Sequence, residues 1–151
     1  MSVFASAAVL AGCGSDQGPM VELPIDGTWD LVGLYALDVE GRVRCNMTGT
    51  LQLRQLPGGV NTIVGTGQKS FDCIIDGQHE TWETSADLTN SRLTGTQLSM
   101  TMGACGSVAE YDPTRPDVLG GGVAFCQTAF LTTGIVDLAG TWEGHRRDET
   151  P

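Results

Sequence analysis

From Asp26 onward the chain alternates apolar and polar residues with a period of two, in short runs rich in Thr, Val, Leu and Ile. That period sends successive side chains to opposite faces of an extended backbone, so each run reads as a strand with one buried face. The runs are broken at near-regular intervals by Asp26-Gly27, Glu40-Gly41, Pro57-Gly58-Gly59, Asp76-Gly77, Thr89-Asn90, Gly120-Gly121-Gly122 and Thr133-Gly134, all turn formers. Strands are expected over 27–37, 42–56, 60–67, 69–76, 79–88, 92–103, 122–132 and 134–144. No stretch carries a convincing helical period. The class is therefore all-β: an antiparallel up-and-down barrel of about eight strands, with a β-sandwich as the alternative. The body is expected over 25–145, with a frayed tail at 146–151 that includes Arg146 and Arg147. Between Gly106 and Gly122, two X-Pro pairs and several glycines predict the longest loop, the one placed to cover a cavity mouth.

One segment returns. Gly27-Thr28-Trp29 at the start of the body is echoed by Gly140-Thr141-Trp142 at its end, each followed by an acid. Trp29, Leu31, Gly33 and Tyr35 share a face, as do Val136, Leu138, Gly140 and Trp142, so both tryptophans are expected in the core. A closed barrel must pair its first and last strands to remove the exposed edges, and the two copies are suitable partners for that closure. The glycine before each Trp lets a neighbouring strand or ring approach closely.

The chain has five cysteines, an odd number that becomes even once Cys13 is set aside. Leu10-Ala11-Gly12-Cys13 follows an uncharged apolar stretch from Met1 to Gly12 and resembles the lipobox of bacterial lipoproteins. That resemblance implies a signal peptide over 1–12 and acylation of Cys13, with 13–24 as a flexible tether. As a helix the leader would reach only about 18 Å, against a hydrocarbon core of roughly 30 Å, so it does not read as a membrane span. Several acyl chains would hold the protein without one. Gly14 rather than Asp after the cysteine leans toward the outer membrane over the inner. The implied setting is the bacterial cell envelope, an oxidising compartment in which Cys45, Cys73, Cys105 and Cys126 form two disulfides. Of three possible pairings, shared inward parity of Cys45 with Leu51 and of Cys73 with Phe71 favours Cys45–Cys73, leaving Cys105–Cys126.

Gly27-Thr28-Trp29 at the head of the first strand resembles the G-x-W signature of lipocalin-like proteins, a form that avidin-type barrels share. The resemblance implies a cup for a small apolar molecule. In that family a C-terminal arginine packs over the tryptophan, and the counterparts here are Arg146 or Arg147. The second family signature, a Thr-Asp pair in a later loop, is not visible.

The search for chemistry returns little. His79-Glu80-Thr81-Trp82-Glu83 begins like a zinc protease motif but lacks the second histidine and lies on an expected strand, where His79, Thr81 and Glu83 share the solvated face. No C-x₂-C spacing supports a metal site. The acids, among them Asp30, Asp72, Glu80 and Asp137, are expected outward or in turns. A net charge of −10, with Arg146-Arg147 the one cationic cluster, argues against nucleic acid as a partner. No catalytic residue, cofactor or metal is expected. Met47, Met100 and Met102 fall on inward faces, where methionine either fills a core or adapts to an apolar ligand.

The expectation is thus a lipid-anchored, non-catalytic carrier of a small apolar ligand, with Trp29, Tyr35, Leu51, Phe71 and Trp142 lining or filling the interior. The alternative is a structural or interaction module, a β-sandwich whose loops or edge contact another envelope protein.

Overall fold

The computed structural model describes residues 25–37, 43–56, 61–130 and 134–148; the leader, the tether and Cys13 lie outside them. Among the described residues eight strands form a closed antiparallel barrel in chain order: β1 (Gly27–Leu37), β2 (Val43–Gln55), β3 (Ile63–Ile75), β4 (Gln78–Thr94), β5 (Gln97–Met102), β6 (Cys105–Tyr111), β7 (Val118–Phe130) and β8 (Gly134–Arg146). Each strand pairs with the next, and β8 returns to β1. The sandwich alternative is set aside by this closure.

Alternation does the sorting. In β6 every second residue from Cys105 to Tyr111 is buried, and in β2 the buried face carries Val43, Cys45, Met47, Leu51 and Leu53. A register slip of one residue would turn that face to water, so the apolar pattern holds the pairing in place. The buried residues make one continuous cluster in the barrel interior.

Both disulfides link directly paired residues of neighbouring strands: Cys45–Cys73 joins β2 to β3, and Cys105–Cys126 joins β6 to β7. This is the pairing that face parity favoured. With 28 and 21 residues of separation, each restricts the unfolded chain by about 3 kcal/mol in the chain-entropy picture.

Closure by β1 and β8 follows the expectation, but the two G-T-W segments do not face each other. Antiparallel register sets Trp142 opposite Gly33 and Gly140 opposite Tyr35, while Trp29 stands opposite Arg146. Gly140 is needed for close approach: a Cβ there would come within 2.5 Å of the Tyr35 ring.

The middle of the chain departs most from expectation. The segments 60–67 and 69–76 are one strand, β3, and the strand expected at 79–88 continues as β4 to Thr94. Thr89-Asn90 is not a turn but a bulge, with Asn90 at φ 51° where the β4–β5 register shifts. Gly120-Gly121-Gly122 is likewise a bulge within β7, with Gly121 at φ 59°. Such residues bend a long barrel strand without ending it. The loop expected over 106–122 is mostly sheet: β6 occupies Cys105–Tyr111, and only Asp112–Asp117 remains a turn, held by Thr114 and Arg115 bonds to Asp112. The long loop expected over a cavity mouth is thus reduced to a six-residue turn. Small residues hid the period-two pattern of Ser107, Ala109 and Tyr111.

The expected fraying at residue 146 is also corrected. β8 runs through Arg146, and the Arg147 backbone N–H donates to the Thr28 carbonyl at 2.8 Å. Arg147 also pairs with Asp30, whose carboxyl it holds below the usual range chiefly by hydrogen bonding.

Candidate functional site in the barrel interior

All five residues expected in the interior are buried there: Trp29, Tyr35, Leu51, Phe71 and Trp142. They divide between two ends. At the end where the chain enters, Ile25 is fully buried and its carbonyl accepts the Trp29 indole N–H at 3.1 Å. Tyr111 meets Trp29 edge to face, with centroids 6.4 Å apart. Arg146 lies over the indole at 4.5 Å, and its guanidinium donates to the carbonyls of Asp26 and Pro116. This end is stoppered by packed side chains.

Toward the other end the interior is aromatic but differently built. Phe71 contacts Tyr35 edge to face at 5.2 Å and stacks on Trp82 at 4.2 Å. Trp82 is only partly buried, for a topological reason. Residues Gln78–Asp87 of β4 pair with β3 on one side, whereas β5 pairs only with Leu88–Thr94. Among the described residues no strand covers the other edge of that first stretch. Trp82, Thr84 and Ala86 share the inward parity of Leu88 yet remain half-exposed, so the wall there is open at the side.

Polar groups stand inside this wall. Lys69 on β3 lies on the inward face between Gly67 and Phe71, with 2 % of its surface exposed. Burial pushes its ammonium down to about 8, and no charge or hydrogen bond offsets that effect. The residues level with it on β2 and β4 are Gly49 and Thr84. The hydroxyl of Tyr35, the hydroxyl of Ser107 and the indole N–H of Trp142 are buried without a hydrogen-bond partner among the described residues. Desolvation raises the Tyr35 phenol to about 12. Buried polar atoms in native proteins are nearly always satisfied, so this group of exceptions calls for an explanation.

Lys69, Ser107 and Trp82 were missed at the level of sequence. Parity carried back from Cys73 through Phe71 places Lys69 inward, a signal that its charge obscured. Ser107 lay in the segment read as a loop. Met47, Met100 and Met102 are buried as expected, with Met102 filling the space over Gly67.

The outer wall carries open grooves, one of about 620 Å³ over Val32, Leu34, Thr141 and Glu143 and one of about 700 Å³ over Leu34, Asn46, Ile74 and His79. His79 is exposed beside Asp72, and His145 lies 3.0 Å from Glu143; neither meets a nucleophile or a second ligand. Among the described residues no cluster of His, Cys, Asp or Glu is arranged to hold a metal. No family model matches the chain, and no curated protein or solved structure is significantly similar to it.

Proposed function

We propose that this protein is a lipid-anchored, lipocalin-like carrier that binds a small apolar ligand within its barrel and performs no catalysis, tethered through Cys13 in the bacterial cell envelope, on the outer membrane. The observation that carries the reading is the interior beside the open β4 wall. There aromatic rings and methionines surround buried polar atoms that have no hydrogen-bond partner among the described residues. Arg146 over Trp29 fits the lipocalin resemblance, in which a C-terminal arginine covers the signature tryptophan. The two disulfides fit an oxidising compartment.

Native mass spectrometry of the purified chain, with quenching of tryptophan fluorescence by a panel of apolar probes, tests ligand binding. A co-purifying species or saturable quenching is the expected result; an unliganded mass with no response across the panel overturns it. Metabolic labelling with radioactive palmitate tests the anchor. Label should enter the wild type and be absent from Cys13→Ser.

A second reading rests on a different observation. Leu34, Val123 and Val108 are exposed on the outer wall, where pairing sets them in one row through Thr141, and Phe125 stands exposed beside them. Such a face suits a structural module that contacts another envelope protein. Photo-crosslinking from position 34 or 125 in intact cells separates the readings: one reproducible partner favours the module, and a monomer carrying extracted lipid favours the carrier.

A further inference from the structure

Three buried groups without a partner among the described residues, the Tyr35 and Ser107 hydroxyls and the Trp142 indole N–H, share one property with the buried Lys69 ammonium: every one can donate a hydrogen bond. The Lys69 ammonium and the Trp142 indole N–H can do nothing else, and the hydroxyls of Tyr35 and Ser107 are free to do the same. They belong to three successive rows of the sheet. Tyr35 and Ser107 share the row that runs through Gly140 and Ala124; Trp142 is in the next, with Gly33, Met47 and Phe71; Lys69 is in the third, with Gly49 and Leu31.

A set of donors lacking acceptors asks for an acceptor with several lone pairs, and a buried ammonium lacking a counter-ion asks for negative charge. No acid stands level with Lys69 on either neighbouring strand. Asp72, Asp87 and Glu83 face outward; Glu80, half-buried on the parity of Trp82, is two rows from Lys69, level with Cys73. The walls around the donors are Phe71, Met47, Leu51 and Met102, which would accept an alkyl or ring-bearing tail and nothing charged. The chain's strongly acidic outer surface makes the cation within more conspicuous, since it runs against the overall balance.

We propose that the ligand is an amphiphile with an acidic head: its anionic group is held inside the barrel by Lys69, with Tyr35, Ser107 and Trp142 as hydrogen-bond donors, and its apolar tail lies along the inner wall. Access is through the side of the wall left open along Gln78–Asp87, past Trp82. The inference rests on the carrier reading and adds the chemical class of the ligand to it.

The test compares two probes of equal chain length, dodecanoate and dodecanol, titrated into the full chain at neutral pH and followed by calorimetry and tryptophan fluorescence. The wild type is expected to bind the acid about tenfold or more tightly than the alcohol, because a charge-assisted contact in a dry site is worth at least that ratio. Lys69→Met is expected to remove the preference for the acid over the alcohol. Equal affinity for both probes in the wild type overturns the acidic-head proposal but leaves the carrier reading standing, as does undiminished dodecanoate binding by Lys69→Met. Binding of neither probe defeats the carrier reading and the proposal together. If Lys69→Met does not fold, Tyr35→Phe takes its place, since it removes only the hydroxyl. It should lower dodecanoate affinity about threefold or more, and an unchanged affinity overturns the hydroxyl's part in holding the head.

Discussion

Arg146, the last residue of β8, lays its guanidinium over the ring of Trp29, near the start of β1, at 4.5 Å from the centroid. The two residues are direct partners across the seam that closes the barrel. One side chain thereby covers the indole and satisfies the carbonyls of Asp26, just before β1, and Pro116, in the turn between β6 and β7.

Arg146→Ala should therefore lower stability by about 2 kcal/mol, from the lost cation–π contact and hydrogen bonds. On a domain of this size that is a fall of roughly 5 to 10 °C in Tm. Thermal unfolding by circular dichroism checks it. Arg146→Lys should recover only part, since an ammonium cannot both lie flat on the ring and reach two carbonyls.

The buried Lys69 ammonium is destabilising. Its folded value of about 8 lies below the unfolded value of 10.5, so between those limits the unfolded chain holds the extra proton. Stability must then rise as pH climbs from 8 toward 10.5, by about 3 kcal/mol in all. Tyr35 acts in the opposite sense at higher pH: raised from 10.0 to about 12, it withdraws stability as pH climbs through that interval. Urea denaturation as a function of pH should show a maximum near pH 10. In Lys69→Met the rise should vanish, and at pH 7 that variant should be more stable than the wild type by about 2 kcal/mol.

The close approach of Gly140 to Tyr35 makes Gly140→Ala costly, since its Cβ would sit 2.5 Å from both the Tyr35 ring and the Leu34 carbonyl. A loss of about 2 kcal/mol or more is expected. Gly106→Ala is the control: no atom lies within 4 Å of a Cβ there, and the change should stay within about 0.5 kcal/mol. Denaturant midpoints of the two variants give the comparison.

Replacing both cysteines of one bridge, as in Cys45→Ser with Cys73→Ser, should cost about 3 kcal/mol, and the same holds for the Cys105–Cys126 pair. Peptide mapping without reductant should recover those two linkages and no crossed product.

Period-two patterning was enough for the all-β class, for the inward placement of Trp29, Tyr35, Leu51, Phe71 and Trp142 and, once Cys13 was set aside, for the cysteine pairing. Each of these follows from which face a side chain occupies, and parity along an extended backbone settles that locally. Parity could also have placed Lys69 inside, had its charge not suggested water. Three things required the folded barrel. Asn90 and Gly121 became bulges rather than turns because neighbouring strands continued to pair past them. Arg146 was drawn from an expected tail onto Trp29 because closure brought the chain ends together. Lys69, Ser107, Tyr35 and Trp142 became one group of buried donors only when strands distant in sequence shared an interior. Faces are set by near neighbours along the chain, whereas register, closure and shared burial depend on contacts between strands that no local pattern encodes.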